Sequence, residues 1–576
     1  ISGAQTLTKG GSGTLTLSGA NTYNGVTASN PGTSVTAGKL ILTNTYASPA
    51  FDIASGATLE LNNSTTTDRN YGTTTKFTGT GILAKTGTGT VLWGSSAATF
   101  ALSANSKIDV QQGIFVGGSN ANEVWTDNKS ALNVESGASF YTVEATVNVD
   151  ALTGGGTVYS AYNTGVAANA NSGLVVGIAN GSGTFSGTIV DGQLITTINA
   201  ASTKSLTKTG SGTQTLTGAN TYIGTTTITG GTLQIAGTNG SLGNGTYANT
   251  ITLSNSSTLK YSSSVAQILS GKITGAGNLI KDTDANSELT LSGANDYSGT
   301  TTVNKGTLTY GANSGVPSAS AVTVDLGATL KVNSKAVTRG TTTTVNGTLD
   351  LGTNGTVLLD TNSGTHTIAA INGSGTITVN TGATLVLSAT IVNTGVNITL
   401  AGGTLKIAET STATATSIGT LKQTAASTLD LGTSTTNFAK LKVASLDPGS
   451  LLLTVSNWTS GSDHFYATAI NNTTARTRVS LATFSLAPIV PTRHIGLTAP
   501  ATTNSSSAVS AIPIGMVEVM VPLTVLLKGG AVPGIAPIPI GRLAAELQTR
   551  HGQVAARSLF LLVPPVVRCR LPLLKA

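Results

Sequence analysis

Apolar and polar residues alternate in short bursts along most of the chain. In TLTLS (14–18), Leu15 and Leu17 share one face while Thr14 and Thr16 take the other. Leu233 with Ile235, and Leu308 with Tyr310, repeat the pattern. A period of two is that of a strand with one buried face. Gly and Asn fill the intervals, as expected where the chain must turn through positive φ. No segment of residues 1–485 carries an apolar stripe at helical spacing, so the alternation predicts many short strands joined by tight turns.

The strands recur in blocks. LTKGGSGTLTLSGANTYNG (7–25) returns as LTKTGSGTQTLTGANTYIG (206–224) and as LIKDTDANSELTLSGANDYSG (279–299). The second and third blocks continue into TTTITGGTLQI (225–235) and TTVNKGTLTY (301–310), and the first recovers its end at AGKLIL (37–42). A degenerate copy runs from GILAKTGTGTVLW (81–93) to Ile108–Val116. A shorter unit fills the intervals, as in IASGATLEL (53–61), VNTGATLVL (379–387) and LAGGTLKI (400–407). Its leucines, Leu308, Leu330 and Leu349, then Leu385, Leu405 and Leu429, stand 19 to 24 residues apart. One such unit cannot bury its own Leu, Ile and Val, so neighbours must stack on it. Short strands at this period predict an all-β fold, a β-solenoid of parallel coils with aliphatic ladders inside.

Composition narrows this further. Only 9% of residues are charged, against about 25% in ordinary soluble domains. Apolar residues make up 39%, too many for a disordered chain. The 70 glycines among 576 residues follow no period of three, which excludes collagen. The +7 net charge is misleading, because residues 486–576 hold eight of the 30 basic residues and two of the 23 acids. The rest is almost neutral and lacks the clustered cations that nucleic-acid binding requires. Cys569 is the single cysteine, so the chain has no disulfide of its own and no cysteine zinc site. It begins at Ile1 without a secretory leader, the mark of a mature or truncated piece. Its longest apolar stretch, Ile512–Leu527, is interrupted by Pro513, Glu518 and Pro522 and is shorter than the ~20 residues of a membrane helix.

The composition changes near Ser485. Residues 486–576 hold 11 of the 15 prolines and both methionines, and proline cannot serve a central ladder. Two domains are therefore expected: a solenoid over 1–485 and an irregular, Pro-rich, weakly basic tail over 486–576. A shifted reading frame or a natural linker toward the envelope would each produce such a tail, and a short helix is expected around Gly541–Ala556.

The motif G-S-G-T-x-T-L-[ST]-G-A-N-[TD]-Y-x-G, followed by T-T-T-[IV]-x-x-G-T-L, resembles the autotransporter-associated β-strand repeat of bacterial autotransporter passengers. The resemblance is close at 7–25, 206–235 and 279–310 and looser over the rest of 1–485. It implies a right-handed parallel β-helix at the cell surface or released, with adhesion, aggregation or biofilm roles and repeats that assist secretion and folding. It also implies an outer-membrane translocator barrel, whose ~10-residue alternating strands are missing from 486–576. Residues 451–466 (LLLTVSNWTSGSDHFY) resemble the closing coil of such proteins, which would make 440–485 the end of the solenoid. The resemblance implies a structural and adhesive stalk with no reaction or cofactor of its own, and with surface, matrix, glycan or self-association partners.

The alternative is a carbohydrate-active β-helix enzyme, a polysaccharide lyase or glycoside hydrolase. It would need carboxylates gathered on neighbouring coils, whereas the acids here are sparse. The four histidines (His366, His464, His494 and His551) are scattered, and no phosphate-loop, HExxH or Gly-x-Ser-x-Gly pattern occurs. Asp463–His464 reads as an acid–base pair or, more simply, as a polar turn. The run Asp282, Asp284, Asn286, Glu288 presents alternating oxygen ligands like the start of a calcium loop. Ser287 and Gly293 stand where such a loop needs Gly and an acid, which favours a solvated turn, so no metal ligand is assigned. Asn21 with Tyr23, Asn220 with Tyr222, and Asn295 with Tyr297 read as turn formers and coil-edge packing rather than as a ligand-facing array.

Overall fold

The computed structural model describes residues 1–25, 32–71, 75–93, 98–118, 123–142, 145–160, 172–191, 204–283, 287–409, 414–434, 437–449, 452–457, 463–470, 477–481, 517–519, 558–563 and 567–572. The chain divides into two compact units, Ile1–Thr376 and Ile377–Ala576. Both are parallel β-solenoids, as the period-two pattern and the coil-length repeat predict. Among the described residues the only helix is the 3-10 turn Gly243–Gly245, and no helix is long and apolar enough to cross a membrane. The helix expected around 541–556 lies outside the described residues.

In the first unit, the strands Thr14–Leu17, Lys39–Leu42, Thr58–Asn62, Ile82–Thr86, Lys107–Val110, Ala131–Val134 and Leu152–Gly154 pair in parallel, each with the next. Their register places Leu15, Leu40, Leu59, Leu83, Ile108, Leu132 and Leu152 one above another. Further along, Leu308, Leu330, Leu349 and Ile371 form another ladder, confirming the leucine spacing as the coil length. Each buried leucine contributes about 1.5–3 kcal/mol, but only when a neighbouring coil covers it.

Aromatic residues, 4% of the chain, are concentrated inside these coils. Phe51, Phe77 and Phe100 stack in register with centroids 5.6 and 5.4 Å apart. Trp125 lies flat on Phe100 at 4.0 Å and donates from Nε1 to Gly117 O at 2.7 Å. Trp93 packs edge-on against Phe77 and Phe100. All five rings are buried, so this stretch has an aromatic core.

In the second unit, Leu385, Leu405, Leu429 and Val455 continue the same kind of ladder across Ala383–Leu387, Thr404–Ile407, Ser427–Asp430 and Leu452–Ser456. A second parallel sheet runs Val396–Ala401, Thr416–Ala425, Lys440–Asp447 and His464–Ile470. Among the described residues, two pairings involve residues beyond 485, and both are antiparallel: Thr477–Leu481 with Val517–Val519, and Ser558–Val563 with Val567–Pro572.

Candidate functional site

The repeat blocks share a local structure that begins with lysine. In each L-x-K triplet the lysine falls on the inward face beside the leucine, as period two requires. Lys85, Lys208 and Lys281 are fully buried and Lys9 nearly so. The Lys9 ammonium donates to Gly10 O at 2.9 Å and Gly11 O at 2.8 Å in its own turn, and to Ala37 O at 3.0 Å one coil later. Lys85 repeats this with Thr86 O at 2.8 Å, Gly87 O at 2.7 Å and Gln112 O at 3.0 Å. Lys208 does so with Thr209 O at 2.5 Å, Gly210 O at 3.0 Å and Gly230 O at 3.2 Å. Lys281 reaches Lys305 O at 3.3 Å. In every case the carbonyl on the following coil belongs to the residue before a glycine at positive φ: Gly38, Gly113, Gly231 and Gly306, at 64°, 71°, 60° and 73°.

Those glycines are required by space as well as by φ. A Cβ on Gly231 would stand 2.2 Å from Gly212 O and 2.6 Å from Gly210 O. On Gly113 it would stand 2.4 Å from Gly87 O and 2.6 Å from Gly89 O. The turn holding the lysine therefore seats directly on the glycine turn of the next coil. Burial pushes the Lys85 ammonium from 10.5 down to about 8, with the Arg69 charge adding to the effect. Burial also lowers Lys208.

The Asn–Tyr pair closes the same block. Asn220 accepts from Ile189 N at 3.0 Å on one side and donates to Ser241 O at 3.1 Å on the other. Asn295 accepts from Ile273 N at 2.7 Å and donates to Gly315 O at 2.8 Å. Tyr23, Tyr222 and Tyr297 are fully buried. Their hydroxyls meet Thr33, Thr226 and Thr301 at 2.8, 2.9 and 2.7 Å. The tyrosines thus lie inside the coil, and the asparagines tie together the coils on either side.

The other sequence candidates are dispersed. Asp282 pairs with Lys260 at 2.7 Å, and that hydrogen bond holds its carboxyl below the usual range. Glu288 accepts from Thr309 Oγ1 at 2.6 Å. Asp284 and Asn286 lie outside the described residues. Asp463 is buried and accepts from Ala439 N at 2.9 Å, while the His464 ring stacks on Tyr466. His366 is buried against Ser363 in the first unit. No group of three or more His, Cys, Asp or Glu residues is placed to hold a metal among the described residues.

One outward column gathers acids from nearby coils. Glu60, Ala84 and Asp109 are in register, followed by Asn133. Lys39 meets Glu60 at 2.9 Å and Lys107 meets Asp109 at 3.1 Å. Burial would raise the Glu60 carboxyl, but hydrogen bonds from Thr86 and Lys39 outweigh it and leave it lowered. At Asp109, burial is likewise outweighed by Gln111, Asn133 and Lys107. A hydrolase would need one carboxyl of its pair held protonated, and both of these are held as carboxylates.

A solenoid whose repeated side chains are turned inward to join coil to coil is a structural repeat protein. The passenger-associated-transport-repeat family matches residues 7–42, 206–235 and 287–309, so these stretches carry the repeat found in autotransporter passengers, and the β-solenoid around them supports a passenger region built of β-helix repeats. That family is one of passenger repeats rather than of enzymes. No curated protein and no solved structure matches the chain. The structure adds the degenerate copy at 81–116, where Lys85 and Gly113 rebuild the seat outside the matched residues. The sequence reading did not single out these lysines. Their signal was present in Leu7-x-Lys9, Leu83-x-Lys85, Leu206-x-Lys208 and Leu279-x-Lys281, which place a cation on a core-facing position.

Proposed function

We propose that the chain is the structural and adhesive stalk of an autotransporter-like surface protein, carried outside the cell by a linked translocator. In this reading the repeats assist secretion and folding, and the chain catalyses no reaction. The observation that carries it is the inward placement of the repeat's signature Lys, Asn and Tyr, with the lysines, Asn220 and Asn295 joining adjacent coils. The outward positions are mostly neutral Thr, suited to a durable surface contacting matrix, glycans or other copies. Residues 486–576 form a separate Pro-rich segment in this reading, and comparing the three frames of the encoding DNA for a continuing repeat tests whether they are native.

The functional test is display on bacteria behind an outer-membrane barrel. The parent chain should reach the surface protease-resistant and confer binding to matrix, glycan or self. Deleting 206–235 should reduce surface folding more than deleting an equally long stretch of the second unit. Equal effects, or an intact chain that binds nothing in any of the three assays, would remove the respective half of the proposal.

A further inference from the structure

We propose that the lysines of the four L-x-K triplets, Lys9, Lys85, Lys208 and Lys281, act as register keys, each admitting the next coil only when it arrives in correct alignment. This rests on the reading that the repeats assist folding, and it identifies the side chains responsible. The problem they address comes from the sequence. In a strand that alternates Leu and Thr, a slip of one residue turns the apolar face outward, but a slip of two restores it. A two-residue slip moves each backbone group by about 6.7 Å and still leaves leucines inside and threonines outside. Hydrophobic patterning alone therefore cannot choose between registers two residues apart.

The lysine seats can. Lys9, Lys85 and Lys208 each receive two carbonyls from their own turn and a third from the coil that follows. A slipped coil would withdraw the third carbonyl and bring a residue with a side chain toward the space reserved for Gly38, Gly113 or Gly231. It would leave a buried ammonium short of a partner, which is far worse than leaving a threonine hydroxyl in water. The hydrogen-bond acceptors are main-chain oxygens at defined positions, and at Lys208 the Asp150 charge only partly offsets burial. The lowered ammonium affinity of Lys85 and Lys208 for protons indicates that burying the charge is unfavourable in itself. A residue kept under such a penalty suits discrimination between structures better than added stability, the best attested use of buried charges.

The test compares the full chain with Lys85→Met, Lys208→Met and the double variant, using Lys129→Met at an exposed lysine as control. After dilution from denaturant, hydrogen exchange read by mass spectrometry measures the fraction with protected strands at Ile114–Val116 and Thr232–Gly237. Loss of one charge-assisted hydrogen bond's worth of discrimination should raise the misregistered fraction roughly tenfold per seat removed. Native chain isolated from each variant should unfold at the same denaturant concentration as the parent or higher, and Lys129→Met should match the parent in both measurements. Unchanged refolding fidelity would overturn the proposal. So would a lowered unfolding midpoint in the single variants, which would make the lysines plain stabilisers. Both measurements are made in solution, so they can fail while surface display and adhesion succeed, or the reverse.

Discussion

Acid should loosen the first unit around His366 while Glu60, Asp109 and Asp282 are still ionised. The imidazole is fully buried, its Nε2 lies 2.8 Å from Ser363 Oγ, and Nδ1 has no hydrogen-bond partner. Thr343, in register with it on the preceding coil, accepts from Arg339 Nε at 3.2 Å. Arg339 is itself buried, held by Pro317 O at 2.8 Å and by Ser320 O. Burial, and then the Arg339 charge, push the His366 pKa from 6.5 down to about 4. Between those values the unfolded chain binds a proton at this residue and the native chain does not. Stability therefore falls as pH falls. It is fully present above about pH 6.5, declines toward pH 4, and loses nothing more from this residue below that. At 1.36 kcal/mol per pKa unit, the difference is at most about 3 kcal/mol.

The assay is urea unfolding between pH 7 and pH 4, followed by amide exchange across 343–372, on the parent and on His366→Gln. The parent should lose up to about 3 kcal/mol over this window, while the glutamine variant stays nearly flat. Glu60, Asp109 and Asp282 have lowered affinities for protons, so their contributions are lost mainly at lower pH and do not fill the window. Parallel pH profiles for the two proteins would refute the reasoning, as would an imidazole NMR titration in the folded state with its midpoint near 6.5.

Three further perturbations test the packing. Gly231→Ala, with its Cβ 2.2 Å from a carbonyl, should lower unfolding stability by more than about 2 kcal/mol, whereas Gly327→Ala, at φ +83° with open space around it, should cost only about 1 kcal/mol; equal losses would deny the close seating of the turns. Phe100→Ala removes the ring on which Trp125 lies at 4.0 Å, so it should cost about 3–5 kcal/mol and weaken the near-ultraviolet circular dichroism of the aromatic stack. Asn295→Ala leaves the Ile273 amide and the Gly315 carbonyl without their side-chain partner and should cost about 2–3 kcal/mol, measured by urea unfolding.

The ladders were legible because they depend on one variable, the sequence distance between equivalent leucines. Leu308, Leu330 and Leu349 are spaced by coil length, and the structure places them in register. The aromatic stack was not legible, because Phe51, Phe77, Phe100 and Trp125 occur in segments of different sequence and meet only once coils of unequal length are overlaid. The oxygen-rich run at 282–288 shows the same dependence on coil neighbours. Its ends are close in sequence, yet Asp282 pairs with Lys260 on the preceding coil and Glu288 with Thr309 on the following one. In a solenoid, the neighbours that matter chemically are one coil away, and a linear motif search looks a few residues away.

The same geometry explains why so few charges suffice. Among the described residues, five ion pairs join residues one coil apart: Lys39–Glu60, Lys260–Asp282, Lys272–Asp296, Lys406–Asp430 and Lys422–Asp447. In each, the lysine comes first and the acid lies on the coil that follows. The lysines of the L-x-K triplets obey the same order, except that their partner on the next coil is a main-chain carbonyl. Exposed pairs of this kind add little stability, about 0–1 kcal/mol each, so their value in a Thr-rich stack is positional. Lys406 and Lys422 meet the acid directly in register with them, whereas Lys39 and Lys260 reach an acid two residues beyond their register partner, so the offset is set pair by pair where a threonine column would accept either. Nine per cent charge is thus a sparse set of addresses on a neutral lattice.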